Sequence, residues 1–441
     1  MATKRVLKGK KAPALKTKLA RELGLFETIF YGVGIILGAG IYVLVGKAAG
    51  LAGNMAWLAF FIGSLIAAFT GLSYAELSSI FPKAGGEYVY TEEAFGRRLA
   101  FLVGWLIIVG GVIASATVAL GFAGYFKALF NIPIIPAAIA LVAILSVINW
   151  IGIKESAFFN VVFTAIEAGG LVLIIWIGRK FIGAVNYTQL PETGLTGVMA
   201  SAALIFFAYL GFEDLVRLSE ETKNPTKTIP KALIISIIVT TILYVLVAIS
   251  AVSVLDYKVL GESTAPLADV ASAALGPNAF FLLSIIALFA TANTVLILLI
   301  ATSRLVYGMA CDNALPFKSL AKVHPKTQTP TLAIILTMIF TAVFVFFKDV
   351  TVVASLTDIA LFLTFIVVNL ALIWLRYKLP NKRRPFKSPL NIGNFSVLAA
   401  LGVVTSAYML IHFEKDVWAI GVALIVLGLA VSEVCVRWQK Q

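Results

Sequence analysis

The sequence predicts an all-α protein that crosses a membrane many times. Of its 441 residues, 60% are apolar and only 13% are charged, whereas soluble domains are roughly 45–50% apolar and about 25% charged. One globular core cannot hold this excess, so many side chains must face lipid. Because lipid offers the backbone no hydrogen-bond partners, each crossing is expected to be a helix of roughly 20 mainly apolar residues.

Twelve apolar segments are long enough to be such helices. They lie near 25–48, 55–80, 99–126, 132–151, 156–178, 197–218, 232–255, 279–310, 330–347, 352–375, 394–412 and 417–436. Since the number is even, both chain ends are expected on the same side. A cytoplasmic N-terminus places 28 of the 35 Lys and Arg residues on the inner side, as the positive-inside rule requires. The sequence therefore predicts a multi-pass protein of the cell (plasma) membrane with both termini cytoplasmic.

The first span contains four glycines within nine residues, at Gly32, Gly34, Gly38 and Gly40. Glycine lowers helix stability by roughly 1 kcal/mol per residue, although small residues also allow close packing of helices in membranes. Gly38 lies about 20 Å into the span at a rise of about 1.5 Å per residue, which is near the bilayer middle. This position favours an unwound stretch over plain helix packing.

The sixth span has a matching glycine, Gly211, that also falls near mid-membrane. Spans one and six begin two halves of five spans each, and an odd number of spans inverts the second half relative to the first. Paired breaks at corresponding positions are the best sequence indication of a transporter site. Bare N–H groups at a break suit a carboxylate and bare C=O groups suit an ammonium, so a zwitterion fits the pair.

Five segments, in order, resemble those of the amino acid–polyamine–organocation (APC) superfamily, over about residues 22 to 390. The segments are 34–42, 73–96, 220–230, 303–316 and 329–330. The resemblance is strongest to prokaryotic relatives of the cationic amino acid transporters. It implies the leucine-transporter-type fold, a 5+5 inverted repeat with about twelve transmembrane helices and with spans one and six broken. It also implies secondary active transport of amino acids by alternating access.

The same resemblance implies a substrate site between the two breaks. The substrate carboxylate would meet the backbone N–H groups of Ala39 and Gly40, and its ammonium would meet carbonyl groups near both breaks. An aromatic side chain of the sixth span would cover the site, although ordinary packing stays open for it. The predicted substrate-binding residues are Leu37, Gly38, Ala39, Gly40, Phe206, Phe207, Ala208, Tyr209, Leu210 and Gly211.

Two positions depart from the family pattern. Gly110 stands where cationic members carry a glutamate, which favours a neutral substrate, with a polyamine, another organocation or a cationic amino acid as the alternative. Glu167 stands in the fifth span where proton-coupled members carry a lysine. An intramembrane charge is expensive and usually functional, so Glu167 is either a proton carrier for symport or exchange, or a hydrogen-bonded lock between helices. The pathway candidates are Gly110, Glu213, Thr291, Asn293 and Asp358.

The predicted organisation places one core between basic flanking segments. It comprises a basic cytoplasmic segment at 1–21, a core at 22–375 with repeats at about 25–178 and 197–375, a basic cytoplasmic linker at 376–393, two accessory helices at 394–436 and a tail at 437–441.

Other classes of function find little support in the sequence. Two cysteines and two histidines give no disulfide framework or His-based metal site, so no metal or cofactor is expected. The motifs of intramembrane proteases are absent, which argues against an enzyme. The net charge of +13 lies in short loops beside the spans, as anionic inner leaflets favour, rather than in a nucleic-acid-binding patch. The expected partners are therefore an amino acid, the lipid bilayer and a proton.

Overall fold

The computed structural model describes residues 23–82, 86–151, 156–220, 222–311, 314–315, 317–327, 329–347 and 349–438. The predicted basic segment at 1–21 and the last three residues of the predicted tail lie outside these ranges. The described chain is mostly helical, in agreement with a polytopic all-α fold.

The described helices follow the apolar segments of the sequence. The α-helices are α1 (Leu25–Ala52), α2 (Ala56–Ile80), α3 (Gly86–Phe95), α4 (Arg97–Phe130), α5 (Ile134–Ile151), α6 (Ser156–Gly178), α7 (Gly194–Ile205), α8 (Pro225–Val254), α9 (Tyr257–Glu262), α10 (Pro266–Leu275), α11 (Pro277–Cys311), α12 (Thr331–Val345), α13 (Val350–Lys378), α14 (Val397–Leu410) and α15 (Lys415–Trp438). Short 3-10 turns lie at Gly53–Met55, Phe206–Tyr209, Asp214–Glu220 and Lys318–Ala321. Eight stretches are long and apolar enough to cross a membrane, and the first of them, Leu25–Ile80, includes both α1 and α2.

Five elements of the described chain, three short helices and two strands, were not expected from the apolar segments. Helices α3, α9 and α10 have ten residues or fewer, which is too short for the roughly 20 residues that a spanning helix needs. Strands β1 (Asn391–Ile392) and β2 (Phe395–Ser396) form a small antiparallel hairpin where the predicted linker meets the apolar segment predicted at 394–412. Gly393 provides the positive φ of 61° that its tight turn requires.

Helix α1 lies at the centre of the bundle. It contacts α7, α8, α9 and α11, and nearly all of its residues from Ile36 to Ala49 are buried. Its C-terminal half passes close to α9, where a Cβ added at Gly46 would lie 2.4 Å from the carbonyl oxygen of Leu260. Glycine at this position lets the helix backbone approach the short helix directly.

A buried ion pair joins α2 to the end of α13. The Arg376 guanidinium donates to both carboxylate oxygens of Glu76, and both side chains are buried. The carboxylate also accepts a 2.8 Å hydrogen bond from the backbone N–H of Ser388. A bidentate arginine–carboxylate pair of this kind is among the stronger polar contacts in proteins, so it fixes the segment after α13 against α2.

Candidate functional site

The first break lies within α1 at Gly38. Its backbone dihedrals (φ 6°, ψ −172°) leave the helical range, so the regular hydrogen bonds of α1 are interrupted there. The hydroxyl of Tyr244 in α8 lies 2.5 Å from the carbonyl oxygen of Ile36 and 3.1 Å from that of Leu37. The same hydroxyl lies 2.9 Å from the carbonyl oxygen of Ala208. One O–H donates to one of these oxygens at a time, so three carbonyl groups of the two breaks share a single donor.

The second break follows α7. A 3-10 turn covers Phe206–Tyr209, after which Leu210 is extended and Gly211 has a φ of 111°. L-residues rarely adopt this left-handed backbone. A Cβ at Gly211 would also lie 2.2 Å from Cγ2 of Ile35. The turn is closed by a 2.9 Å hydrogen bond from the backbone N–H of Gly211 to the carboxylate of Glu213.

The two breaks touch each other at Gly40 and Ala208. A Cβ added at Gly40 would lie 2.5 Å from Cα and 2.9 Å from Cβ of Ala208. Only glycine therefore allows the two main chains to come this close. The close contact brings backbone groups of both breaks to one place.

A threonine of α11 accepts a hydrogen bond from a backbone N–H group of the first break. The N–H of Ala39 donates to the hydroxyl of Thr294 at 3.1 Å, and that hydroxyl in turn donates to the carbonyl of Ala290 at 3.0 Å. Ala39 N–H is one of the two groups that were predicted to bind a substrate carboxylate. Thr294 is not among the predicted pathway residues, which include Thr291 and Asn293 of the same helix.

A cavity extends from the two breaks between α1, α4, α11 and α13. It has about 940 Å³ of free space, including open space at its mouth. Its wall towards α4, α11 and α13 is mostly apolar, with Thr294, Thr302 and Thr357 as the hydroxyl-bearing exceptions. The lining residues of this wall are Ile107, Gly110, Gly111, Ala114, Val118, Thr294, Ile297, Leu298, Ala301, Thr302, Leu305, Thr357 and Leu361. The acidic residues Glu87, Glu213 and Asp214 also line the cavity.

About half of the residues predicted from sequence line this cavity. They are Gly38, Ala39, Gly40, Phe207, Ala208, Leu210, Gly211, Gly110 and Glu213. The two aromatic candidates pack elsewhere: the Phe206 ring lies 4.6 Å from that of Phe362, and the Tyr209 hydroxyl donates to the carbonyl of Phe60 at 2.9 Å. Both side chains are completely buried in the described structure.

The remaining predicted residues are not among those that line the cavity. They are Leu37, Thr291, Asn293, Glu167 and Asp358, all of them buried. Thr291 donates to the backbone carbonyl of Ala287 in its own helix at 2.6 Å, which is a common local bond of threonine in membrane helices.

Glu167 lies in α6 beside the C-terminal half of α1. It is 1% exposed, and its Oε1 has no hydrogen-bond partner among the described residues. The contact between the two helices runs instead through its backbone carbonyl, which accepts a 2.6 Å hydrogen bond from the Tyr42 hydroxyl. The carboxyl is therefore not needed for this particular link between α6 and α1.

No cluster of three or more His, Cys, Asp or Glu side chains within the described ranges is arranged to hold a metal ion. The polar groups of the cavity are backbone amides, hydroxyls and three carboxyls. This set can orient a small zwitterion through charge-assisted hydrogen bonds.

The sequence matches the profile of the amino acid permease family over residues 23–431. The chain belongs to this family of amino acid permeases. Family membership supports amino acid transport, with a small-molecule amino acid as the substrate, and the relatives are transporters rather than enzymes. Together with its apolar helices it identifies a multi-pass membrane protein.

Three relatives illustrate the range of substrates in proteins similar to this permease. The branched-chain amino acid permease BcaP of Bacillus subtilis (strain 168) is 30% identical over 419 residues, covering 89% of this chain and 88% of the relative. The methylthioribose transporter of the same organism is 33% identical, covering 88% of each chain. The vacuolar cationic amino acid transporter 4 of Arabidopsis thaliana is 31% identical, covering 82% of this chain and 64% of the longer relative.

Proposed function

We propose that this permease is a secondary active transporter of neutral amino acids in the plasma membrane. It works by alternating access, as a proton-coupled symporter or exchanger. The observation that carries the proposal is the cavity itself, because backbone groups of two broken helices and an apolar wall line the same space. A neutral amino acid has the matching parts, two charged ends and an uncharged side chain.

The charged ends of the substrate bind at the breaks. The carboxylate meets the N–H groups of Ala39 and Gly40, where the helix dipole favours a negative charge. The ammonium meets carbonyl groups at Leu37, Phe207, Ala208 and Leu210. In the structure described, Thr294 and Tyr244 supply hydrogen bonds at these same two poles. Substrate binding then exchanges side-chain partners for substrate partners, which keeps the backbone groups satisfied in both states.

The apolar wall receives the substrate side chain. Gly110 presents no charge, and a Cβ built there would come no closer than 3.8 Å to the side chain of Ala360. A basic side chain against this wall would be desolvated without a counter-charge, at a cost of several kcal/mol. This cost supports a neutral substrate.

A cationic substrate is the second candidate, with polyamines and other organocations in the same class. The cavity includes the carboxyls of Glu87, Glu213 and Asp214, and several curated relatives are named as cationic amino acid transporters. Glu213 is engaged by the backbone of Gly211, and the Tyr74 hydroxyl donates to Glu87 at 3.2 Å. Because these two carboxyls already have partners, the neutral substrate is favoured.

The proposal includes twelve membrane crossings in two inverted repeats of five, at about 25–178 and 197–375. Nine long helices are apolar enough to cross when α1 and α2 are taken separately, and the apolar helices at Val162–Gly178, Thr331–Val345 and Val397–Leu410 complete the set. The core then spans 22–375, the linker at 376–393 and both termini are cytoplasmic, and the segment at 394–436 adds two accessory helices.

Glu167 is the proposed carrier of the coupling proton. It is buried in the fifth span against α1, and its Oε1 is without a partner in the described chain. A carboxyl in such a place is held more easily as the neutral acid than as the anion. Opening of the site to water then allows the proton to leave, so binding and release follow the transport cycle.

Uptake into proteoliposomes tests the coupling. An inward proton gradient is imposed, and accumulation of labelled leucine is compared between the parent protein and Glu167→Gln. We expect the parent to concentrate leucine, while the variant still exchanges internal for external leucine but accumulates none, because exchange moves no net proton. If Glu167→Gln concentrates leucine like the parent, the carboxyl locks helices together and another group carries the proton.

A further inference from the structure

A second buried carboxyl lies beside the other break. Asp358 in α13 is 0% exposed, and neither of its carboxyl oxygens has a hydrogen-bond partner among the described residues. An ionised carboxylate at such a place loses its hydration without compensation, at a cost of several kcal/mol. Burial of the neutral acid costs much less free energy, because an uncharged polar group is more weakly hydrated than a carboxylate.

Among the described side chains, no charged group forms a hydrogen bond with Asp358 from the elements packed against α13, which are α2, α3, α4, α7, α14, α15, β2 and the turn at 206–209. Helix α7 and the turn contain no charged residue, and the charged residues of α2, α3, α4 and α15 lie towards the helix ends. Among the side chains that the structure describes, the ionisable groups of these elements are Tyr74 and Glu76 of α2, Glu87, Tyr88, Tyr90, Glu92 and Glu93 of α3, Arg97, Arg98, Tyr125 and Lys127 of α4, Tyr209 of the turn, Tyr408 of α14, and Lys415, Asp416 and Glu433 of α15. Within the described structure none of them is a hydrogen-bond partner of the Asp358 carboxyl.

Asp358 is also packed onto the broken segment itself. The backbone N–H of Phe207 faces its carboxyl, although the geometry falls short of a hydrogen bond. One turn further along α13, the ring of Phe362 lies 4.6 Å from that of Phe206. The neighbouring Thr357 lines the cavity. Any rearrangement of the segment Phe206–Gly211 must therefore change the surroundings of this carboxyl.

Within the proposed inverted repeat, α6 is the fifth span and α13 is the tenth, which makes them counterparts. Each of these helices carries one buried carboxyl with an unpartnered oxygen, and each packs against a broken helix of its own half. Glu167 lies beside α1 at Tyr42, and Asp358 lies beside the second break at Phe207. This correspondence rests on the proposed function, whereas the burial of Asp358 does not.

We propose that Asp358 is a second proton site, which holds a proton while the segment Phe206–Gly211 has the conformation described here and releases it when that segment moves and water reaches the carboxyl. No covalent step is involved, and the proton passes to water or another titratable group. Protonation then favours the conformation described, and loss of the proton favours the rearranged one. Asp358 acts as a positioning residue for the second break.

Infrared spectroscopy of the purified protein in lipid tests for the proton directly. A protonated carboxylic acid has a C=O stretching band that is distinct from the carboxylate bands. We expect Asp358→Asn to lose one such band, while Asp349→Asn, the exposed carboxyl that begins the same helix, retains it. If Asp358→Asn fails to fold, Asp358→Glu is the substitute and should shift the band. A spectrum in which neither variant alters any protonated-acid band overturns the proposal.

Exchange measurements test the link to movement. In a Glu167→Gln background, the rate of leucine exchange should rise with pH as Asp358 loses its proton, because exchange requires the segment to rearrange. Asp358→Asn, a permanent mimic of the neutral acid, should remove this rise, and Asp349→Asn should keep it. An unchanged rise in Asp358→Asn contradicts the inference. If the parent exchanges no neutral amino acid at all, the proposed function fails, whereas the infrared result still decides whether Asp358 holds a proton.

Discussion

Replacing Gly40 by alanine adds one methyl group where the two breaks touch. The new Cβ would lie 2.5 Å from Cα of Ala208 and 3.2 Å from its backbone nitrogen, and main-chain atoms cannot rotate away as a flexible side chain can. Overpacking of this kind costs about 1–3 kcal/mol. If this cost falls on a conformation through which every transport cycle must pass, we expect uptake to fall roughly 5- to 150-fold, the ratio that corresponds to such an energy.

The assay is the initial rate of leucine counterflow in proteoliposomes that contain equal amounts of folded protein. Gly308→Ala is the matched control, because it adds the same methyl group to α11 where nothing lies within 4 Å. The control should transport like the parent. Adding Ala208→Gly to Gly40→Ala removes only the 2.9 Å contact with Cβ, so rescue should be partial. Unimpaired counterflow by Gly40→Ala would show that the cycle does not require the close contact of the breaks.

Four further changes test other parts of the account. Gly110→Glu should make arginine a better competitor of leucine uptake, and unchanged competition would place the substrate side chain elsewhere. Thr294→Val removes the acceptor of the Ala39 backbone N–H, which costs about 1–3 kcal/mol when no substrate is bound. Leucine should therefore bind more tightly in calorimetry, and weaker binding would mean that the hydroxyl contacts the substrate. Arg376→Met leaves Glu76 buried without its main partner and should cost about 3–5 kcal/mol of stability, seen as a lower Tm, whereas an unchanged Tm argues that the ion pair contributes little. Lys382→Cys should resist impermeant thiol reagents added outside intact cells, and rapid labelling would overturn the cytoplasmic linker.

The two breaks were predictable because glycine destabilises a helix and adopts backbone conformations that other residues rarely adopt. Clustered glycines at mid-span indicated the irregular backbone at Gly38, and the lone Gly211 indicated the second break. Sequence patterns do not reveal which distant residue such a backbone meets. Tyr244 and Thr294 are single hydroxyls in apolar helices, and their partners at the first break lie more than 200 positions away along the chain. Only packing of the helices shows that they reach the breaks.

Side-chain direction explains the other differences. Phe206 and Tyr209 belong to the predicted segment, but the 3-10 turn directs both aromatic rings into the protein core, leaving backbone groups at the cavity. Similarly, Glu167 and Asp358 were candidate functional residues because a charged group inside a membrane is energetically costly and usually has a function. Their complete burial and unpartnered oxygens became visible only once neighbouring helices were in place.

The substrate screen tests the central claim most directly, that the two breaks bind a neutral amino acid and carry it across the membrane. Proteoliposomes are loaded in turn with each of the twenty amino acids and with a polyamine, and counterflow of labelled leucine is measured at two pH values. The account predicts that neutral aliphatic amino acids inside the vesicles stimulate leucine entry, and that arginine, lysine and the polyamine do not. Stimulation by arginine or the polyamine that exceeds stimulation by the neutral amino acids would contradict it.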